Sequence, residues 1–204
     1  YSARSTRNSV KYDAEGRIIY PAGSVAVIHD KSITEESKRQ SFCMAHHDEI
    51  TCIDVHMNSG LAASGQKGNG VLKVAVWNTS TKQIVHQLDC GAVRAISAVA
   101  FSSDGNYLVA ACCDDEHTIK LFDLRGGVLR TSTPGGSEKV LSLCFSNSST
   151  IKILQAGVNH FRIHTYNGLD LVTKIGKWNG NKKSVLTCCK PLPLAAEGGF
   201  EFIM

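Results

Sequence analysis

The sequence predicts an all-β fold, a partial β-propeller built of four-stranded antiparallel blades, on three observations. A seven-residue pattern occurs four times, as ITCIDVH from Ile50, ISAVAFS from Ile96, VLSLCFS from Val140 and VLTCCKP from Val185, with starts 46, 44 and 45 residues apart. A fixed period of this size marks units that cannot bury their apolar face alone and must stack on neighbours. Within each copy the apolar residues alternate or run in short β-branched blocks without a sustained helical stripe, so the elements are strands. Four such segments fit into each period, which is the content of one propeller blade.

The elements follow in order. Residues 13–48 predict a partial first blade. The blade over 49–93 opens on ITCIDVH and continues through strands at 61–65, 71–78 and 84–90. In the blade over 94–137, a strand at 96–101 is followed by the turn Ser103-Asp104-Gly105-Asn106 and a strand at 107–112. The acidic turn Asp114-Asp115-Glu116 leads to a strand at 118–123, and Arg125-Gly126-Gly127 to a last one at 128–131. Glycine, asparagine and aspartate at these places supply the turn geometry. The blade over 138–180 repeats the order with strands at 151–157, 161–165 and 169–174, and 181–204 predicts a truncated blade.

The third strands align as VAVWN (from Val74), IKLFD (from Ile119) and FRIHT (from Phe161), each with a ring next to last. This resembles the Trp-Asp dipeptide of WD repeats. In WD blades a His before the first strand, a Ser or Thr on the second and the Trp indole N–H form a buried hydrogen-bonded chain. His46, Ser64 and Trp77 are the residues that match. The fourth member, an Asp in the turn before the third strand, is expected to be missing from residues 66–70, and Phe122 cannot donate at all. Most blades should therefore rest on apolar packing.

A more particular resemblance covers nearly the whole chain. The segment YSARSTRNSVKYDAEGRIIYPAGSVAVIHD at 1–30, AHHDEITCIDVH at 45–56, LAASGQKGNG at 61–70 and HFRIHTYNGLDLVTKIGKW at 160–178 are similar to the echinoderm microtubule-associated-protein-like family. In that family WD propellers follow a short hydrophobic HELP motif, whose tail residues 1–12 resemble. The resemblance implies a non-enzymatic cytoplasmic and cytoskeletal scaffold that binds tubulin or microtubules through propeller faces. A generic WD adaptor for a ciliary, trafficking or ubiquitin-ligase complex is the alternative, since one fold hosts many roles.

Composition narrows the classes. Seven blades at this period need about 300 residues. The 204-residue chain starts at Tyr1 and stops in an apparent strand, which predicts a sector of a longer protein whose remaining ring covers its open ends. The eight cysteines sit inside predicted strands with no disulfide or zinc spacing, so they read as reduced, small apolar residues of a cytosolic protein. No apolar run approaches the roughly 18 residues of a membrane span. The glycosylation sequons at Asn78 and Asn147 carry no weight in a cytosolic chain.

The net charge of +4 is mild. Lys174, Lys177, Lys182 and Lys183 fall between a fourth strand and the next first strand, and Lys67 follows a second strand. They should share one rim and could meet an acidic partner such as tubulin's tails, although Asp114, Asp115 and Glu116 occupy the same rim and favour an ordinary solvated surface. Nucleic acid is not expected, because no aromatics interleave with the lysines. His160 and His164 share a strand face without a third ligand, and His46-His47-Asp48-Glu49 lacks the helical HExxH frame, so no metal is expected. Gly65, Gly68 and Gly70 lack the Lys-Ser/Thr of a phosphate loop, and no G-x-S-x-G occurs. No catalytic residue and no cofactor is expected.

Overall fold

The computed structural model describes residues 9–178 and 184–192, together with the backbone of Phe202–Ile203. Among these residues there is no α-helix, and two 3₁₀ turns, Glu36–Lys38 and Met57–Ser59, are the helical elements. Four sheets of four antiparallel strands follow one another, each a meander whose sequence neighbours pair. The first holds β1 (Lys11–Tyr12), β2 (Ile18–Ala22), β3 (Val25–His29) and β4 (Gln40–Cys43), and the second β5 (Ile50–His56), β6 (Leu61–Gln66), β7 (Val71–Asn78) and β8 (Ile84–Ala92). The third holds β9 (Ile96–Phe101), β10 (Tyr107–Cys112), β11 (Ile119–Asp123) and β12 (Val128–Thr133), and the fourth β13 (Val140–Phe145), β14 (Lys152–Gly157), β15 (His160–Tyr166) and β16 (Leu171–Ile175). A two-stranded ladder of β17 (Lys190–Pro191) and β18 (Phe202–Ile203) ends the described chain.

The sheets stack side by side because each strand sends alternate residues to opposite neighbours. Ala62 and Ala63, adjacent on β6, belong to two different cores. Ala62 packs with Ile19, Ile28 and Trp77 between the first and second sheets, and Ala63 with Val76, Leu108 and Phe122 between the second and third. Val109, Leu121 and Ile153 fill the space between the third and fourth sheets. Cys144, Leu154 and Cys189 join the fourth sheet to the segment that follows. The core is thus a series of slabs between blades, and fully burying a large side chain such as Trp77 or Phe122 in one stabilises by roughly 2–3 kcal/mol.

The first strands line the inner side, with β1 beside β5, β5 against β9 and β9 against β13. Asp54 stitches three of them together. Its carboxylate accepts from Lys11 Nζ at 2.8 Å and from the Phe101 backbone N–H at 3.0 Å. Thr51 adds a hydroxyl donated to the Ile96 carbonyl.

Two features differ from the sequence expectation. The first sheet begins at Lys11 and has four strands, so it starts before residue 13 and is not partial. A two-residue strand followed by the turn in which Arg17 pairs with buried Asp13 at 2.7 Å carries no apolar periodicity to read. Of the tail assigned to residues 1–12, residues 1–8 lie outside the described residues. The fourth copy of the pattern, VLTCCKP, does not form one continuous strand. Val185 makes an isolated bridge to Val158, and the ladder is confined to Lys190–Pro191, where proline has no N–H to extend it.

Candidate functional site

Loops join the ends of the strands, and the buried residues beneath fix how those ends are held. One register position recurs in every sheet: Ile28 opposite Ile19, Trp77 opposite Ala62, Phe122 opposite Leu108 and His164 opposite Ile153. What fills the space beside that position differs from blade to blade.

In the second sheet the His46, Ser64 and Trp77 side chains meet. The fully buried Trp77 donates its indole N–H to Ser64 Oγ at 3.1 Å, which leaves the serine proton for His46 Nε2 at 2.7 Å. The opposite nitrogen, His46 Nδ1, then donates to Gln66 Oε1 at 2.9 Å, and the His47 backbone N–H donates to the same oxygen at 3.2 Å. The fourth place expected to be empty is occupied by Gln66. An amide oxygen accepts the His proton as an Asp carboxylate would, but brings no charge to hold the ring protonated. Burial accordingly lowers the His46 pKa, against a smaller opposing contribution from Gln66.

The third sheet holds Ala110 and Phe122 at the places of Ser64 and Trp77, both fully buried and neither with a side-chain hydrogen-bonding group. The fourth carries a different chain of bonds. The Thr173 hydroxyl donates to His164 Nδ1 at 2.8 Å, and His164 Nε2 donates to Gln155 Oε1 at 2.8 Å. Gln155 Nε2 supplies its two protons to the Gly135 carbonyl at 2.8 Å and to His160 Nε2 at 2.6 Å. His160 Nδ1 donates to the Val158 carbonyl at 2.9 Å. The chain is directional, and both rings are neutral in it. Burial pushes His164 down to about 4, and His160 moves the same way, burial again first. Both nitrogens of each ring are already engaged by this chain, so the pair expected to lack a third ligand serves as core wiring.

The connections from second to third strand and from fourth strand to the next sheet share one rim. Lys67 stands there, and its ammonium reaches Glu49 at 2.5 Å. Arg94 pairs with Asp115 at 2.9 Å. Lys174 and Lys177 are exposed on the fourth sheet's share of the rim, whereas Lys182 and Lys183 lie outside the described residues. Near Lys177, Phe161 and Trp178 meet edge to face with centroids 5.7 Å apart. The acidic residues Asp114, Asp115 and Glu116 hold loop geometry: Asp114 Oδ1 accepts the Thr118 N–H at 2.8 Å, and the Glu116 carbonyl accepts the Gly136 N–H at 2.8 Å. On the opposite rim Asp123, the aspartate of IKLFD, is clamped by Arg125 and Arg130, each at 2.6 Å. Hydrogen bonds from Arg125 first, then from Arg130, hold its carboxyl well below the usual range.

All eight cysteines are free thiols and six are buried. Desolvation pushes Cys43 up to about 11 and Cys52 up to about 12, so they stay protonated and pack as small apolar groups. Gln66, Gln155 and Arg162 were not singled out from the sequence. A glutamine two residues after Ser64 is a visible acceptor once the serine is placed, but Gln155 and Arg162 act across a register that only the folded sheet supplies.

The WD domain, G-beta repeat family matches residues 82–123. The matched span runs from β8 of the second sheet through β11 of the third, so the repeat as a sequence unit straddles two blades and ties them in series. A WD repeat is present in this chain. Its relatives include Echinoderm microtubule-associated protein-like 2 of Homo sapiens, 25% identical over 199 residues that cover 93% of this chain and 30% of that protein. The 77 kDa echinoderm microtubule-associated protein of Strongylocentrotus purpuratus is 27% identical over 184 residues, 86% of this chain and 26% of that protein. Cilia- and flagella-associated protein 52 of Chlamydomonas reinhardtii is 27% identical over 155 residues, 74% of this chain and 25% of that protein. The chain therefore spans between a quarter and a third of the length of these relatives. No helix among the described residues is long and apolar enough to cross a membrane.

Proposed function

We propose that the chain is a non-enzymatic scaffold of the cytoplasm and cytoskeleton that binds tubulin or microtubules and helps organise them. The similarity to microtubule-associated proteins over 86–93% of its length carries this reading. The architecture supports it: a rigid stack of sheets whose loops, not a cleft with convergent chemistry, face outward. Exposed lysines at 174 and 177 supply the attraction to an acidic surface, which salt should weaken. Co-sedimentation with polymerised tubulin tests the reading. Pelleting at low salt that declines as salt rises is the expected result, and a chain left in the supernatant at low salt would overturn it.

A second reading, an adaptor within a ciliary complex, draws on the similarity to the cilia- and flagella-associated protein. It gains the lead if the chain fails to pellet with microtubules and is instead retained by isolated axonemal proteins.

A further inference from the structure

We propose that Cys144 and Cys189 are an oxidisable dithiol, which a hydroperoxide joins in a disulfide that latches the segment at 184–192 onto the fourth sheet. The proposal goes beyond the reading of the chain as a scaffold and does not depend on it.

The register fixes where the two thiols stand. Ser142 pairs with Ala156 and Cys144 with Leu154, so these four share one face of the fourth sheet. Leu143, Phe145 and Ile153 take the other face, against the third sheet. Cys189 packs on the first face, with Cys144, Leu154 and Ala156. Its Sγ lies 3.4 Å from Ser142 Oγ and 3.8 Å from the Leu154 carbonyl. Those groups flank Cys144, one two residues before it and the other across the ladder, and the two thiols hydrogen-bond to each other.

A second pair of thiols shows what is particular here. Cys112 Sγ reaches the Cys90 carbonyl at 4.0 Å in the core between the second and third sheets. Those two cysteines are 0% and 1% exposed, whereas Cys144 and Cys189 are 7% and 3% exposed. Cys144 and Cys189 also line a recess of about 200 Å³ on the inner side of the stack, to which neither Cys90 nor Cys112 contributes. A space that holds several waters at about 30 Å³ each also admits a hydroperoxide.

The surroundings make the two sulfurs unequal. The Cys189 N–H donates to Ser142 Oγ at 3.2 Å, which leaves the serine proton to be donated to a thiolate. A hydrogen bond from Cys144 lowers the Cys189 pKa first, burial opposes it, and the bond from Ser142 adds to it, with a net shift below the usual thiol value. The same bond and burial hold Cys144 up. Cys189 is therefore the attacking thiolate and Cys144 the resolving thiol. With hydrogen peroxide, the Cys189 sulfur takes one oxygen as the O–O bond breaks, and the other oxygen leaves as water with the thiol proton. The sulfur of Cys144 then attacks the Cys189 sulfenic acid, the S–O bond breaks, and a second water leaves with the Cys144 proton. Two thiols lose two electrons, and one peroxide gains them.

The consequence lies in how this segment is held. Its backbone ties to the fourth sheet are Leu186 N–H to the Gly157 carbonyl at 3.0 Å and Asn159 N–H to the Ser184 carbonyl at 3.2 Å, around the isolated bridge of Val158 and Val185. A covalent link that closes a loop around β14, β15 and β16 adds a constraint that these few bonds do not supply.

The test treats the reduced chain with hydrogen peroxide, alkylates the remaining thiols with iodoacetamide in urea, and reads linked peptides by mass spectrometry. A Cys144–Cys189 link should dominate, with Cys90 and Cys112 recovered alkylated. Cys188→Ser should keep the link and Cys189→Ser abolish it. Cys144→Ser, which lacks the resolving thiol, should leave a sulfenic acid at Cys189 that dimedone traps, and Cys144→Ala stands in if that variant does not fold. Oxidation should raise the melting temperature of wild type by about 5 °C or more and leave that of Cys144→Ser unchanged.

Cys144 and Cys189 both recovered alkylated after peroxide would overturn the site. So would a Cys90–Cys112 link that forms as fast, or a Cys144–Cys189 link that forms only in urea. A link with no rise in melting temperature would overturn the latch. None of these outcomes bears on pelleting with microtubules, so the two readings stand or fall separately.

Discussion

The second and fourth sheets share a topology and a register, yet they use opposite strategies in the core and on the rim. In the second, a serine small enough to sit between Trp77 and His46 accepts one bond and gives another, and Gln66 closes the chain. In the fourth, no histidine stands before the first strand, and the longer Gln155 spans the gap from His164 to the Gly135 carbonyl. On the rim the second sheet's Lys67 is neutralised by Glu49, while the fourth sheet's Arg162 meets no carboxylate among the described residues. The third sheet shows that the polar wiring can be dispensed with: Ala110 and Phe122 fill the same places with apolar volume alone. The fold demands a matched pair at each position and is indifferent to the chemistry of the pair, because a buried polar group costs only when its partner is missing.

The comparison predicts that acid weakens the polar blades before it touches the apolar one. His164 has a folded pKa of about 4 against 6.5 when unperturbed. The unfolded chain therefore binds the extra proton between those values. Stability is complete above about pH 6.5 and falls as pH drops toward 4, by about 3 kcal/mol from this group. His46 and His160, also lowered, act in the same direction. Urea unfolding between pH 7 and pH 4.5 should show this slope, and His164→Phe should flatten part of it. An unchanged slope in that variant would place the acid sensitivity elsewhere.

A smaller effect sharpens the contrast from the apolar side. Ala110→Ser would bury a hydroxyl beside Phe122, where neither an indole N–H nor an imidazole waits for it. A cost of about 1–3 kcal/mol is expected in urea unfolding, even though serine is the residue that the second sheet uses at the same place. A neutral result would mean that the third sheet tolerates half of a polar pair.

The strand order was legible because period-two patterning and turn residues speak locally: IKLFD and VLSLCF give their faces away without reference to anything distant. So was the meeting of His46, Ser64 and Trp77, whose spacing follows from the meander. The short strand Lys11–Tyr12 was not, since its place is set by Asp54 some 43 residues later. Nor was the role of Gln155, whose reach to Gly135 depends on how two sheets stack. The rim illustrates the same limit. Lysine positions could be read from the chain, but which cation meets an acid and which does not is decided by loops from different blades.

The matched-pair claim is tested most directly by a double-mutant cycle on Ser64→Ala and Trp77→Phe, read by urea unfolding. The first change strands the indole N–H of Trp77 and the Nε2 of His46, and the second removes the donor to Ser64. Together they rebuild the Ala110–Phe122 pair of the neighbouring sheet and leave only the Nε2 of His46 unmatched. The double variant should therefore be more stable than the sum of the single losses by about 1 kcal/mol. Losses that simply add, within about 0.5 kcal/mol, would contradict it.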